Sequence, residues 1–379
     1  MQTLSKYDGL KSGNGAGPSA TDANSAGFQA SPAVFVLSLS KGEDRTLLRR
    51  MHDGFPDTRT RQEHPMRAAL PGLAWCTTFI LLDAVQAVFL GGTLQRMDGF
   101  VMGLLVFGPS ALVVGLWSWR RDPTQIAIAL ANRRALIGLN LATAGGWVTY
   151  FAAVQLVEPA VAFTLFTGII PLAALVIGRL GMAEAKAVRS PLVRIGYAVL
   201  AAGLLLLTAI TVFGWSGFLR GGSLIALAGA ALATMAGIFI TAMILVGQRL
   251  DRKGVGPGVL YAVRFPLYLF IALVAWRLGF DAKAPIPLAE IALAVGIGLV
   301  VLAFPVYAVQ KAISLSSSLA VGTAAALIPF VVFLMQAIEG RVGHSNATLA
   351  GLAVCFTGAV LASIGGVRAA ASPVVDGGN

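Results

Sequence analysis

Apolar residues in this chain come in runs of about twenty, separated by short polar segments that hold most of the charge. Ten runs are long enough to cross a bilayer, for which roughly 17 to 25 predominantly apolar residues are needed. The first five cover about 70–91, 99–118, 135–156, 159–178 and 192–213, and the second five about 223–247, 257–277, 288–309, 318–338 and 347–367. No run alternates in the manner of a barrel strand, and a segment in lipid must satisfy its own backbone polar groups, so each is expected to be a helix. Residues 1–66 are different, rich in Gly, Ser, Ala, Asp and Arg, with one apolar stretch at 34–39 that is too short to span. They read as a disordered cytoplasmic tail, and no signal-peptide core follows Lys6 and Lys11. A translation start at Met51 or Met66 is an alternative account of that tail. Residues 368–379 read as a short cytoplasmic tail at the other end.

The runs repeat. Pro109, Trp119, Arg120 and Tyr150 return as Pro266, Trp276, Arg277 and Tyr307 at a shift of 157, and Pro171 returns as Pro329 at 158. Glu184, Gly196 and Gly203 then return as Glu339, Gly351 and Gly358 at 155. Eight landmarks in order, with small drifts, point to an internal duplication of residues 68–213 as 223–367. Each copy holds five runs, an odd number, so the second copy is expected to thread the membrane in the opposite sense. The predicted fold is an all-α integral membrane protein of ten transmembrane helices, arranged as two inverted five-helix repeats around a central cavity.

Composition agrees with a membrane setting: 57% of residues are hydrophobic and 12% charged, against about 25% charged in a typical soluble domain. The net charge of +11 would suggest nucleic acid in a soluble protein, but here it measures orientation, and no nucleic-acid partner is expected. With the N-terminus inside, internal loops hold twelve Lys and Arg residues against five outside. That excess places both termini in the cytoplasm, makes the inner (plasma) membrane the expected location, and puts the loop at Glu158 and Pro159 outside. Cys76 and Cys355 lie within apolar runs and read as packing residues, while His52, His64 and His344 show no ligand spacing. Neither a metal nor a cofactor is expected.

In each half an aromatic and small-residue helix is followed by a short loop, a Pro-centred helix, a Glu and a Gly-x6-Gly helix. The carriers are Tyr150, Pro171, Glu184, Gly196 and Gly203, then Tyr307, Pro329, Glu339, Gly351 and Gly358. This pattern resembles the EamA-type permeases of the drug/metabolite transporter superfamily over residues 68–367. The resemblance implies ten helices around a cavity and movement of amino acids or other small metabolites by alternating access. It also implies an Arg in the second helix of a repeat, a position held here by Arg264 in the second half and by Phe107 in the first. Glu339 stands three residues closer to its proline than Glu184 does, so the two halves are not functionally equivalent.

Asn140, Thr143, Trp147 and Tyr150 form a polar and aromatic stripe on one helical face, and Asn140 and Trp147 are candidate cavity-lining residues. The competing reading is small polar groups joining helices, with Tyr150 an interfacial aromatic. Tyr307 and Gln310 form a comparable pair beside Lys311, open to reading as a helix-end cluster. Glu184 and Glu339 read as loop braces, and Pro171 and Pro329 as hinges or static kinks. Two charges lie well inside runs, Asp83 with Gln86 on its face, and Arg264. From the cytoplasmic side Asp83 is roughly 20 Å deep and Arg264 roughly 12 Å, a depth from which an arginine can also snorkel.

The substrate-binding set expected is therefore Asp83, Gln86, Asn140, Trp147 and Arg264. The expected function is transport of a small polar molecule, an amino acid or similar zwitterion, with the lipid bilayer as the other partner. A flippase for lipids or lipid-linked metabolites is the alternative. An enzyme is not expected, because the runs contain no histidine and no paired carboxylates. Deleting residues 1–60 should leave membrane insertion and transport near wild-type, since the tail lacks the apolar surface to fold, while Arg61 and Arg67 remain for orientation. Expression and uptake assays on the truncated protein check this, and normal expression without uptake would assign the tail a function.

Overall fold

The computed structural model describes residues 65–180, 190–218, 220–315, 318–343 and 345–371. The N-terminal tail and Glu184 lie outside the described residues, as do the side chains of Tyr307, Gln310 and Lys311. The helices are α1 (Pro65–Arg96), α2 (Gly99–Arg121), α3 (Pro123–Ala131), α4 (Arg133–Leu156), α5 (Pro159–Arg179) and α6 (Pro191–Val212). They continue with α7 (Ser223–Asp251), α8 (Pro257–Val263), α9 (Pro266–Arg277), α10 (Leu288–Leu315), α11 (Ser318–Glu339) and α12 (Asn346–Ala371). Among the described residues there is no strand, and eight helices are long and apolar enough to cross a membrane, with α8 and α9 together counting as one. This is a multi-pass membrane protein. In α10 and α11 the described apolar stretches are shorter, Leu288–Leu302 and Ala325–Glu339.

Helix ends are set locally. Proline occupies the first turn of α3, α5, α6, α8 and α9, where its missing N–H leaves no bond unmade. Asp98 caps α2 by accepting from the Phe100 and Val101 amides at 2.7 and 3.2 Å, and Asp122 caps α3 through the Thr124 amide. Burial outweighs the amide hydrogen bonds at Asp98 and raises its carboxyl above the usual range.

The helices pack as a set of reciprocal pairs. Helix α4 lies on α7 as α10 lies on α1, and α5 lies on α7 as α11 lies on α1. Helices α6 and α12 pack together, α2 packs on α8 and α9, and α5 meets α11. Glycine determines the closeness of the α6–α12 contact. A Cβ on Gly196 would stand 2.3 Å from the Ala362 amide nitrogen, and one on Gly358 2.4 Å from that of Leu200. Gly203 faces Cys355, and Gly351 faces Leu207, at similarly short range. The recurring Gly-x6-Gly residues of the sequence thus form one seam in which two helix backbones touch. In lipid, where apolar surface gains little from leaving the solvent, such close dispersion contact drives association.

Residues 264 and 265 interrupt the span formed by α8 and α9. Pro266 has no N–H to give, and the break frees further backbone groups that have no water to bond. Asn140 of α4 satisfies two of them: its Nδ2 donates to the Val263 carbonyl at 2.8 Å, and its Oδ1 accepts from the Leu267 amide at 3.2 Å. A third bond, from Nδ2 to the Leu136 carbonyl at 3.0 Å, holds the amide in its own helix.

Two predictions follow from this packing. Gly358→Leu should push α6 from α12 and cause the detergent-solubilised protein to aggregate, whereas Gly247→Leu, where nothing lies within 4 Å of an added Cβ, should be tolerated. Size-exclusion chromatography of both variants distinguishes them. Asn140→Ala should lower the melting temperature by stranding two backbone groups at about 1–3 kcal/mol each, and Asn140→Asp should not recover the loss, because a carboxylate has no hydrogen to donate to the Leu136 and Val263 carbonyls.

Candidate functional site

The break in the α8–α9 span puts Arg264 at a helix end, only 7% exposed. Its guanidinium lies over the rings of Tyr261 and Phe265, each 4.8 Å from the centroid, with Nη1 3.9 Å from the Met243 sulfur. The side chain is therefore packed among aromatic and thioether groups in the interior, in contrast to the snorkelling alternative.

From Arg264 an aromatic wall runs through the protein. Phe265 stacks on Phe107 at 4.7 Å, and Phe107 meets Trp147 at 4.6 Å and Tyr268 edge-on at 5.5 Å. Trp147 continues to Phe151 at 5.4 Å and Tyr150 at 6.2 Å, and Tyr150 packs on Phe166 at 4.8 Å. Phe107, the first-half counterpart of Arg264, is the hub of this wall and touches Arg264's immediate neighbour. The shift of 157 contains that signal, but it became legible as a contact only once both helices were packed.

At the far end of the wall, Asp83 is half-buried on the face of α1 that also carries the buried Phe79, Ala87 and Leu90. Tyr150 of the wall has a buried hydroxyl with no hydrogen-bond partner among the described residues. No hydrogen bond or ion pair reaches the Asp83 carboxylate among the described residues, and Gln86 is half-buried on the next turn without bonding it. A carboxylate and a buried hydroxyl without partners among the described residues are candidates to face a ligand in a membrane interior.

Of the residues singled out in sequence, Trp147 is half-buried in the wall, and Arg264 and Asp83 stand towards its two ends. Asn140 is engaged with the backbone of the helix break. Sequence reasoning missed Phe107, Phe151 and Phe265 as wall residues, because an isolated Phe in an apolar run carries no positional signal.

Glu158, which the sequence places in a loop on the outer side, is fully buried. Its carboxylate accepts from the Gly217 amide and the Thr348 hydroxyl, both at 2.9 Å, and from the Gln336 side-chain amide. Gln336 in turn accepts from the Ala160 amide at 3.1 Å. One carboxylate thus ties the start of α5 to α11, α12 and the segment after α6. Elsewhere, a cavity of about 150 Å³ lies between the end of α1 and the start of α10, walled by Phe89, Met97, Leu293 and Ile297. The Arg96–Glu290 ion pair, at 2.7 Å, borders it.

No protein-family model matches this chain, and no curated protein matches it. Eight chains among solved structures do. One, described only as "Crystal structure of protein", is 18% identical, covering 81% of this chain and 99% of its own length, with a TM-score of 0.50. The likeness is one of fold.

Proposed function

We propose that this protein is a transporter of small polar metabolites, working by alternating access between two five-helix halves of opposite orientation, as the resemblance to EamA-type permeases implies. The observation that carries this reading is the reciprocity of the packing. If α1, α2, α4, α5 and α6 correspond in order to α7, α8–α9, α10, α11 and α12, then α4 on α7 maps to α10 on α1, and α5 on α7 to α11 on α1. The pairs α2 with α8–α9, α5 with α11 and α6 with α12 map onto themselves. This correspondence treats α10 and α11 as spans and gives ten in all. Two similar bodies of opposite sense can exchange conformations around a shared site, which opens first to one side and then to the other. The excess of basic residues in the loops assigned to the cytoplasm supports both termini lying inside.

The site best suits a small polar cargo whose carboxylate and cationic group are well separated, because Arg264 and Asp83 stand towards opposite ends of the aromatic wall, whereas the carboxylate and ammonium of an α-amino acid share one carbon and would engage one end at a time. Arg264 would meet a carboxylate through its planar fork, Asp83 an ammonium group, and the wall around Trp147 the body of the molecule. A broken helix at a membrane site is also the arrangement by which several transporter folds present polar groups to cargo. The flippase reading draws on one observation, the apolar cavity bordered by Arg96 and Glu290, which would suit a lipid chain below a charged headgroup.

Uptake of radiolabelled amino acids, amines and organic acids into proteoliposomes tests the proposal. Arg264→Lys should weaken transport of carboxylate-bearing substrates although charge is kept, and Asp83→Asn should weaken amines and zwitterions more than acids. Loss of one charge-assisted hydrogen bond, about 1.5–3 kcal/mol, corresponds to a tenfold or greater loss of affinity. If Asp83 couples protons instead, Asp83→Asn keeps binding and abolishes pH-driven uptake. Wild-type binding and uptake in both variants would overturn the site, and lipid translocation without metabolite uptake would favour the flippase.

A further inference from the structure

The N-terminal ends of α2 and α8 hold a pair of matching hydrogen bonds. Gly99 opens α2 and Gly256 immediately precedes α8, and these two glycines are separated by the same 157 residues that separate Tyr150 from Tyr307. Each donates its backbone N–H to a side-chain oxygen from the opposite half of the chain. Gly99 bonds Asp281 Oδ2 at 2.8 Å, and Gly256 bonds Gln125 Oε1 at 2.7 Å. The acceptors are related almost as closely, since Gln125 shifted by 157 falls on Ala282, the residue after Asp281.

Each acceptor is held in place by its own neighbours. Asp281 also accepts from Gln155 Nε2 at 3.3 Å and pairs with Lys283, whose ammonium donates to Gln155 Oε1 at 3.0 Å. Gln125 donates through Nε2 to Asp122 Oδ2 at 2.9 Å. The Thr124 and Gln125 donors lower the Asp122 carboxyl below the usual carboxylate range. On the orientation argued above, the Asp281 cluster lies at the outer ends of α2, α4 and the α8–α9 span, and the Gln125 cluster at the inner ends of α2 and α8. Both are closed in this structure.

We propose that the Gly99–Asp281 and Gly256–Gln125 hydrogen bonds are the two clasps of the transport cycle, one at each face, released in alternation. The inference rests on the alternating-access reading. The clasps differ in chemistry: the outer acceptor is an ionised, ion-paired carboxylate and the inner one a neutral amide. A bond to an ionised acceptor is the stronger of the two, so the inner clasp opens more readily and the protein rests with its outer face shut.

Spin-label distances on the full chain test this. The native Cys76 and Cys355 are buried and stay unlabelled. Labels at Trp215 and Phe280, 63% and 75% exposed, report on the outer face, and labels at Leu130 and Leu180, 55% and 80% exposed, on the inner face. Asp281→Ala should make a longer component dominant at the outer pair and leave the inner pair unchanged. Gln125→Ala should do the reverse. Asp281→Asn, which keeps an oxygen but loses the charge and the Lys283 pair, should give a smaller outer shift than Asp281→Ala. Unchanged distances at both faces in both alanine variants would overturn the proposal, as would lengthening of both faces together in either one. These distances are read without any substrate. Face-specific opening in a protein that moves no metabolite would retain the clasps and discard the cargo, while uptake with unchanged distances would do the opposite.

Discussion

A peptide group in hydrocarbon has no water to bond, and much of this molecule follows from that constraint. Regular helices meet it along most of the chain, so the informative places are those where a helix stops inside the protein. Between Val263 and Pro266 the span stops, and a single asparagine from α4 reaches across to bond both sides of the gap. The break in turn determines where Arg264 sits, because a helix end allows the side chain to turn in among Tyr261, Phe265 and Met243. The candidate site and the solution to the backbone problem are therefore the same piece of structure.

Charge in the interior is handled in two ways. Glu158 is wholly buried and gathers donors from Gly217, Gln336 and Thr348, so that desolvation of the carboxylate is offset by hydrogen bonds from several segments at once. Breaking such a contact would strand a charge, which makes it suited to holding parts together. Asp83 is treated differently, with the Tyr150 hydroxyl nearby and no hydrogen bond of its own among the described residues. A carboxylate left this way is costly unless something else solvates it, and in the transport reading that role falls to the substrate.

The helix pairings link these local features. Backbone contact at Gly196, Gly203 and Gly358, with Gly351 under the Leu207 side chain, holds α6 close against α12, whereas α2 meets α8 and α9 through larger side chains such as Tyr268 packed over Gly103. The α2 contact is flanked by hydrogen bonds at both faces. In the transport reading, the tight glycine seam and the hydrogen-bonded contact would be the fixed and the releasable parts of one bundle.

Much of this was legible in the sequence. Runs such as 99–118 and 159–178 return as helices Gly99–Arg121 and Pro159–Arg179, because hydropathy and length are local properties and proline marks the starts. The two Gly-x6-Gly patterns were visible too, but not that they face each other. Asn140 reads in sequence as a cavity residue or a polar group joining helices, and Glu158 as part of a loop on the outer side. Neither reading could anticipate the broken helix beside the one or the donors converging on the other, since both depend on segments distant in the chain, more than a hundred residues away for Leu267 and Thr348. The sequence by itself determined which stretches are helical and membrane-embedded. Only the tertiary structure decided which polar atoms are bonded and to what, because a hydrogen bond depends on distance in space and not on position along the chain.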